Sequence, residues 1–156
     1  MSPSIEVTVQ AGIIETQKLT ATLEKSSLNI GAMASFTGFC RDEGGVLTAL
    51  ELEHYPGMAE AKLIEIAQQA SMRFNLDALT LVHRFGKITP GEVIVFVAAL
   101  SRHRDAAFDG ARFVMDYLKT DAPFWKKEYR KDGSTGWVSA KDADDCAKAK
   151  WRKSGK

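Results

Sequence analysis

The stretch from Met115 to Glu128, MDYLKTDAPFWKKE, sets lysines on both sides of a proline, among aromatic residues. Pro123 cannot continue the helix that carries Lys119, so the chain must turn there and can bring Lys126 back toward Lys119 in one pocket. Two ammonium groups held close lower each other's pKa, which makes one lysine available as a nucleophile or general base while the other neutralises an anion. The alternative is that Lys119 only complements the dipole at the end of its helix.

Two amphipathic helices are predicted on the N-terminal side of this stretch. Apolar residues recur at helical spacing before Pro123 and predict a helix that starts near Asp105 and ends before the proline. A second apolar series predicts a helix over Met58–Phe74, packed on a sheet. A shorter helix is expected over Thr16–Lys25.

Strand patterns occupy much of the remaining chain. Alternating apolar residues predict an opening strand around Ile5 to Val9. Turn residues between apolar segments predict three antiparallel pairs: Ala32–Cys40 with Leu47–Tyr55 as a hairpin, Leu79–Phe85 with Val93–Ser101, and Phe124–Tyr129 with Thr135–Ser139. This order predicts an α+β fold with a largely antiparallel sheet and two main helices.

The composition favours one domain in the cytoplasm. A chain of 156 residues with 45% hydrophobic content can bury a full core, so we expect a single domain over residues 1–140 and a basic tail, 141–156, that is helical or mobile. Cys40 and Cys146 are far apart, which implies neither a disulfide framework nor a zinc site. No apolar segment is long enough to cross a bilayer, and a reducing cytoplasm is the simplest location.

Candidate anion-binding groups occur at two further positions. His103 and Arg104 come where a strand ends and a helix begins, and helix N-termini favour anions. Arg41 follows an apolar strand, and its guanidinium suits phosphate or carboxylate. The alternative for His103 and Arg104 is a solvated loop. His54 and His83 are interpreted as structural, and neither metal-ligand spacing nor a glycine-rich phosphate loop is present.

Several motifs together resemble one enzyme family. The chain is similar, over roughly residues 30–140, to the large, catalytic subunits of molybdopterin synthase, the MoaE family. The resemblance rests on Phe36-Thr37-Gly38 with Arg41, Leu52 to Ala59, His83-Arg84, Pro90-Gly91-Glu92, Ser101 to Arg104, and Met115 to Glu128.

This resemblance implies an α/β-hammerhead fold, a catalytic domain at 1–140 and a homodimer of large subunits. A small ubiquitin-like sulfur-carrier subunit would dock on each, giving a heterotetramer. The implied reaction moves sulfur from the C-terminal Gly-Gly thiocarboxylate of the carrier to cyclic pyranopterin monophosphate, precursor Z, and forms the dithiolene of molybdopterin in molybdenum cofactor biosynthesis. No metal and no cofactor of the protein's own is implied.

The resemblance also assigns site residues. Lys119 and Lys126 match the catalytic lysines of the family. The implied substrate-binding residues are Phe39, Cys40, Arg41, His103, Arg104, Lys119, Lys126, Lys127, Glu128 and Lys141. Two departures are present: Phe39-Cys40 precedes Arg41 where the family often has a basic or small residue and then valine, and Lys141 stands where it often has an arginine.

Two other functions fit parts of the sequence. Aromatic residues interleaved with the basic C-terminal segment could bind single-stranded nucleic acid, although Trp125 and Trp137 are more often buried in a core than exposed on a platform. A scaffold that binds the carrier without converting substrate is the third possibility. The presence of both Lys119 and Lys126 argues against it.

Overall fold

Two separate four-stranded sheets form the framework of the chain. The computed structural model describes residues 3–121, 123–138, 147–149 and 151–152. The described elements are β1 (Ser4–Gln10), α1 (Thr16–Glu24), β2 (Ala32–Phe39), β3 (Leu47–His54), α2 (Met58–Phe74), β4 (Ala78–Arg84), β5 (Gly86–Ile88), β6 (Val93–Ser101), α3 (Arg104–Asp121), β7 (Phe124–Arg130) and β8 (Thr135–Val138). Most strand pairs are antiparallel, so the predicted α+β class with two main helices is confirmed.

The first sheet, in the order β1-β4-β6-β2, holds the main core. Helices α2 and α3 cover one face, where Leu79, Leu81 and Val97 are fully buried. Residues of α1 pack on the opposite face, against Val82 and Phe96. Because both faces are covered, β4 is buried along its whole length, including its polar residues Thr80, His83 and Arg84.

The second sheet has the order β5-β3-β7-β8. The predicted hairpin of β7 with β8 and the predicted antiparallel pairing of β4 with β6 are both confirmed. The short strand β5, which pairs with β3, was not expected from the sequence.

The predicted hairpin between β2 and β3 is wrong. Strand β2 pairs with β6 in the first sheet, whereas β3 pairs with β5 and β7 in the second. Cys40 also remains bonded to the turn before β6, because its N–H donates to Glu92 O at 2.8 Å and its carbonyl accepts from Gly91 N–H. A glycine-containing link between two apolar strands fits a hairpin and a crossover between sheets equally well, and the long apolar β6 is the stronger partner.

Part of the basic tail is helical and docked. Residues 147–149 and 151–152 are helical, and the rest of the tail lies outside the described residues. Trp151 is buried against Phe74 and Phe113, and its Nε1–H donates to Asp116 Oδ2 at 2.6 Å. The tail thus contacts the half of α3 that carries Lys119. No helix within the described residues is both long and apolar enough to cross a membrane.

Gly31, just before β2, permits a close backbone approach to the chain just after β6. Its N–H donates to Ser101 O at 3.0 Å. A Cβ added at Gly31 would lie 2.0 Å from the carbonyl oxygen of Arg102, which is backbone and cannot swing away. This contact fixes the chain immediately before His103 and Arg104.

We expect Gly31→Ala to lower the free energy of unfolding by about 1 to 3 kcal/mol, the usual cost of forcing atoms into a packed site. The matched control is Gly12→Ala, whose added Cβ has nothing within 4 Å. That control should change stability by less than about 0.5 kcal/mol. Urea unfolding of the two variants measures the difference, and equal stability would contradict the close approach.

Candidate active site

A cavity of about 350 Å³ opens between the two sheets at the C-terminal end of α3. Its wall combines cationic groups, aromatic rings and aliphatic side chains. The lining residues are Phe36, Thr37, Gly38, Phe39, Arg41, Leu52, His83, Ile94, Val95, Leu118, Lys119, Phe124 and Lys126. The volume is that of a small-molecule site.

Lys119 and Lys126 reach this wall from two different elements. Lys119 lies in the last turn of α3, which ends at Asp121 before Pro123, as the sequence predicts. Lys126 lies on β7, opposite Leu52 of β3, and both of these side chains face the cavity. The helix end and the following strand therefore place both lysines on one cavity, with Lys119 exposed and Lys126 half-buried.

Lys127 and Glu128 do not line the cavity. Successive side chains of a strand point to opposite faces, so Lys127 lies on the outer face of the second sheet. There its Nζ is 5.4 Å from the centre of the Tyr129 ring and 5.8 Å from that of Trp137. Glu128 instead pairs with Arg130, at 3.2 Å between Oε1 and a guanidinium nitrogen.

The three residues at the end of β2 have different surroundings. Phe39, 56% exposed, and Arg41, whose side chain is 75% exposed, both line the cavity. Cys40 is buried in the core between the sheets and does not line it. Burial raises the pKa of the Cys40 thiol, and the carboxylates of Glu92 and Glu43 raise it further. The thiol therefore stays protonated and packs as an apolar group.

The structure does not bring His103 and Arg104 to the cavity of the same chain. Both are exposed at the start of α3. Arg104 and Lys119 are 15 positions apart on this helix, which at a rise of 1.5 Å per residue separates their Cα atoms by about 22 Å. Lys141 lies outside the described residues.

His83 is a cavity residue that the sequence interpretation treated as structural. It is 5% exposed, and its ring stacks on Phe124 with centroids 4.1 Å apart. Burial lowers its pKa from 6.5 to about 4; Lys126, Lys119 and His54 act in the same direction, whereas a hydrogen bond to Arg84 O opposes them. The available signal was a histidine near the end of a strand, at the alternate position after Leu79 and Leu81.

The outer face of the second sheet does not form a uniformly basic aromatic platform. Trp125 and Trp137 are 47% and 57% exposed there, contrary to the expectation that they pack in a core. However, cross-strand pairing sets Glu53 beside Trp125 and Glu51 beside Lys127. Carboxylates on this face would repel a phosphate backbone, which disfavours single-stranded nucleic acid as the ligand.

Comparison with known proteins identifies the family. The family model described as MoaE protein matches residues 9–121. The molybdopterin synthase catalytic subunit of Rhizobium meliloti is 55% identical over 97% of this chain and 98% of its own length. That of Mesorhizobium japonicum is 58% identical over 86% of this chain and 85% of its own length.

Solved structures show the same fold. The molybdopterin biosynthesis MoaE protein of Burkholderia ambifaria has a TM-score of 0.81 and 44% identity, covering 94% of this chain and 97% of that one. A chain from a complex of subunits 1 and 2 of the Helicobacter pylori molybdopterin-converting factor has a TM-score of 0.69, covering 88% and 90% of the two chains; at 18% identity it shows the fold alone. The family model and the relatives that span nearly the whole sequence show that this chain belongs to the MoaE protein family.

Proposed function

We propose that the cavity is the site at which this chain, as the catalytic subunit of a molybdopterin synthase, transfers sulfur to precursor Z, a cyclic pyranopterin monophosphate. The observation that supports this assignment is the convergence of Arg41, Lys119 and Lys126 on one cavity whose wall also carries phenyl rings. The three cations suit a phosphate, and the rings of Phe36 and Phe39 suit a flat heterocycle.

The sulfur donor is the C-terminal thiocarboxylate of a small ubiquitin-like carrier subunit. Its sulfur displaces an oxygen substituent from a carbon of precursor Z, and that oxygen leaves as water or as the opened end of the cyclic phosphate. Carrier and substrate are then joined through a thioester. Attack on the acyl carbon then breaks the acyl–sulfur bond and leaves the sulfur on the substrate. Water that a lysine deprotonates releases the carrier as a carboxylate, whereas a lysine amine first takes the acyl group as an amide that water must hydrolyse. The remaining ammonium group stabilises the oxyanion that develops on the carbonyl.

The carrier tail must enter the cavity from outside. Lys119 is exposed at the helix end, and Phe39 and Arg41 are exposed on the wall formed by the end of β2, so the cavity is accessible from solvent. Two terminal glycines without side chains can pass between these walls. The two-subunit Helicobacter complex, whose fold this chain shares, is consistent with a small-subunit partner.

A second copy of the chain is proposed to supply His103 and Arg104. In one chain these residues lie too far along α3 to share a phosphate with Lys119. In a homodimer with twofold symmetry, each copy can place its helix start against the cavity of the other. With one carrier on each copy, the assembly is a heterotetramer.

The neighbouring lysines of β7 test the assignment of the cavity directly. Lys126→Ala, like Lys119→Ala, should lower turnover by at least about a hundredfold, because each removes a group that acts in the chemical step. Lys127→Ala should keep turnover within about threefold, since its side chain points to the outer face. Single-turnover assays with thiocarboxylated carrier measure this, and equal losses at 126 and 127 would contradict the proposed cavity.

Phe39→Ala should raise the Michaelis constant for precursor Z about fivefold, the loss expected for one aromatic contact of about 1 kcal/mol. Stability should change by less than about 0.5 kcal/mol because the side chain is exposed. Phe39→Leu is the control that keeps apolar bulk without a ring. A large drop in melting temperature with an unchanged Michaelis constant would instead indicate a packing role.

Mixing Lys119→Ala chains with Arg104→Ala chains tests whether the second copy contributes. If Arg104 acts in the partner's cavity, each mixed dimer contains one intact site, and randomly exchanged subunits regain about a quarter of wild-type activity at limiting precursor. If Arg104 acts in its own chain, no mixed dimer has an intact site. If mass spectrometry shows mixed dimers but no activity is recovered, the proposal of a shared site is wrong.

A further inference from the structure

His83 is a polar group on the cavity wall for which the proposed sulfur chemistry gives no task. It lies on β4 on the same face as Leu79 and Leu81, where an apolar side chain would be expected. Its ring is held between the Phe124 stack, at an interplanar angle of 15°, and a 2.8 Å hydrogen bond of Nδ1 with Arg84 O. The imidazole is therefore fixed in orientation.

The hydrogen bond with Arg84 determines which nitrogen carries the proton. A carbonyl oxygen only accepts, so Nδ1–H donates and the Nε2 lone pair of the neutral ring is left as an acceptor. The charged and basic groups that face the ring come from three elements, Lys126 on β7, Lys119 on α3 and His54 on β3, and each disfavours a proton on Nε2. Burial acts in the same direction, so His83 is neutral at neutral pH.

The charged side chains of the cavity wall can only donate hydrogen bonds. Arg41 and the lysines in their protonated form, in which precursor Z binds, offer N–H groups and no acceptor. Among the described residues that line the cavity, Thr37 and His83 are the side chains that can accept a hydrogen bond. A substrate that is anionic at one end and carries ring N–H groups at the other therefore needs such an acceptor to bind in one orientation.

We propose that His83 is a positioning residue that accepts a hydrogen bond at Nε2 from a ring N–H of the heterocyclic substrate. This inference rests on the proposed function. The cations bind the phosphate, and the phenyl rings contact the faces of the heterocycle. His83 accepts a hydrogen bond from the edge of the ring that carries the N–H group, and this contact orients the carbons that receive sulfur. A ring that presents an acceptor in place of this N–H would be rejected.

Two amide side chains of different length distinguish the two nitrogen positions of the imidazole, Nδ1 and Nε2. The side-chain amide oxygen introduced by His83→Gln can reach the position of Nε2, whereas the amide introduced by His83→Asn reaches only that of Nδ1. We expect His83→Asn to raise the Michaelis constant for precursor Z about fivefold, the loss typical of one neutral hydrogen bond. His83→Gln should stay within about twofold of wild type, and turnover at saturation should change little in both.

Inhibition by sulfate is the control measurement, because it tests whether the cationic groups of the cavity are unchanged in the His83 variants. Sulfate is an anion without a hydrogen-bond donor at neutral pH, so its inhibition constant against precursor should be the same in wild type and in His83→Asn. If His83→Asn does not fold by thermal melting, His83→Phe, which can keep the stack on Phe124, replaces it. An equal rise of the Michaelis constant in both amide variants, or no rise in either, would overturn the proposal.

The neutrality of His83 has a readout that does not depend on turnover. In the folded chain the pKa of His83 is about 4, whereas its ordinary value is 6.5. Between pH 7 and pH 5 the unfolded chain therefore binds a proton at His83, and the folded chain does not. Stability is therefore lost as the pH falls, and this residue should raise the unfolding equilibrium constant about 20-fold over that range. His83→Phe should lack this component, and identical pH profiles would show that the ring is not held neutral.

Failure of this inference can be told apart from failure of the proposed function. The function fails if Lys119→Ala keeps its turnover at saturating precursor. The positioning role fails if the His83 variants change turnover but leave the Michaelis constant alone, while the lysine variants behave as proposed.

Discussion

The end of α3 before Pro123 is the constraint on which the site depends. Helix α3 belongs to the core of the first sheet, and β7, which begins at Phe124, belongs to the second. The chain therefore passes from one sheet to the other at the proline, and the cavity lies at this junction. Its walls come from both sheets, with Val95 on one side and Leu52 on the other. A helix that continued would carry Lys126 away from this position.

The sequence was informative where the signal was local. Apolar spacing located α2 and α3 to within a residue or so, and Pro123 correctly indicated that Lys119 and Lys126 would line one pocket. The pairing of β2 was not local, since its partner β6 is far along the chain and a short glycine-containing link imitates a hairpin. The place of His83 on the cavity wall could not be read from the sequence for a similar reason: the residues that surround it come from β3, α3 and β7, and only the fold assembles them.

Cys40 is kept out of the cavity although it lies next to cavity residues. Cys40 stands beside two cavity residues in sequence, yet strand alternation turns it into the core between the sheets. Its raised pKa keeps it protonated, and a thiol without thiolate character is a poor nucleophile. In the proposed reaction, Phe39 and Arg41 thus face the cavity while the neighbouring thiol is kept from attacking the acyl carbon of the thioester.

The lysine doublet at 126 and 127 protects the cavity against an error of strand register. The two side chains point to opposite faces of β7. If β7 lost one residue before the doublet, Lys127 would occupy the inward position that Lys126 holds now, and an ammonium group would still face the cavity. The same slip would turn Tyr129 inward in place of Glu128. Such a deletion would therefore keep an ammonium group in the cavity, and the changed positions would be those that Lys127 and Glu128 occupy now.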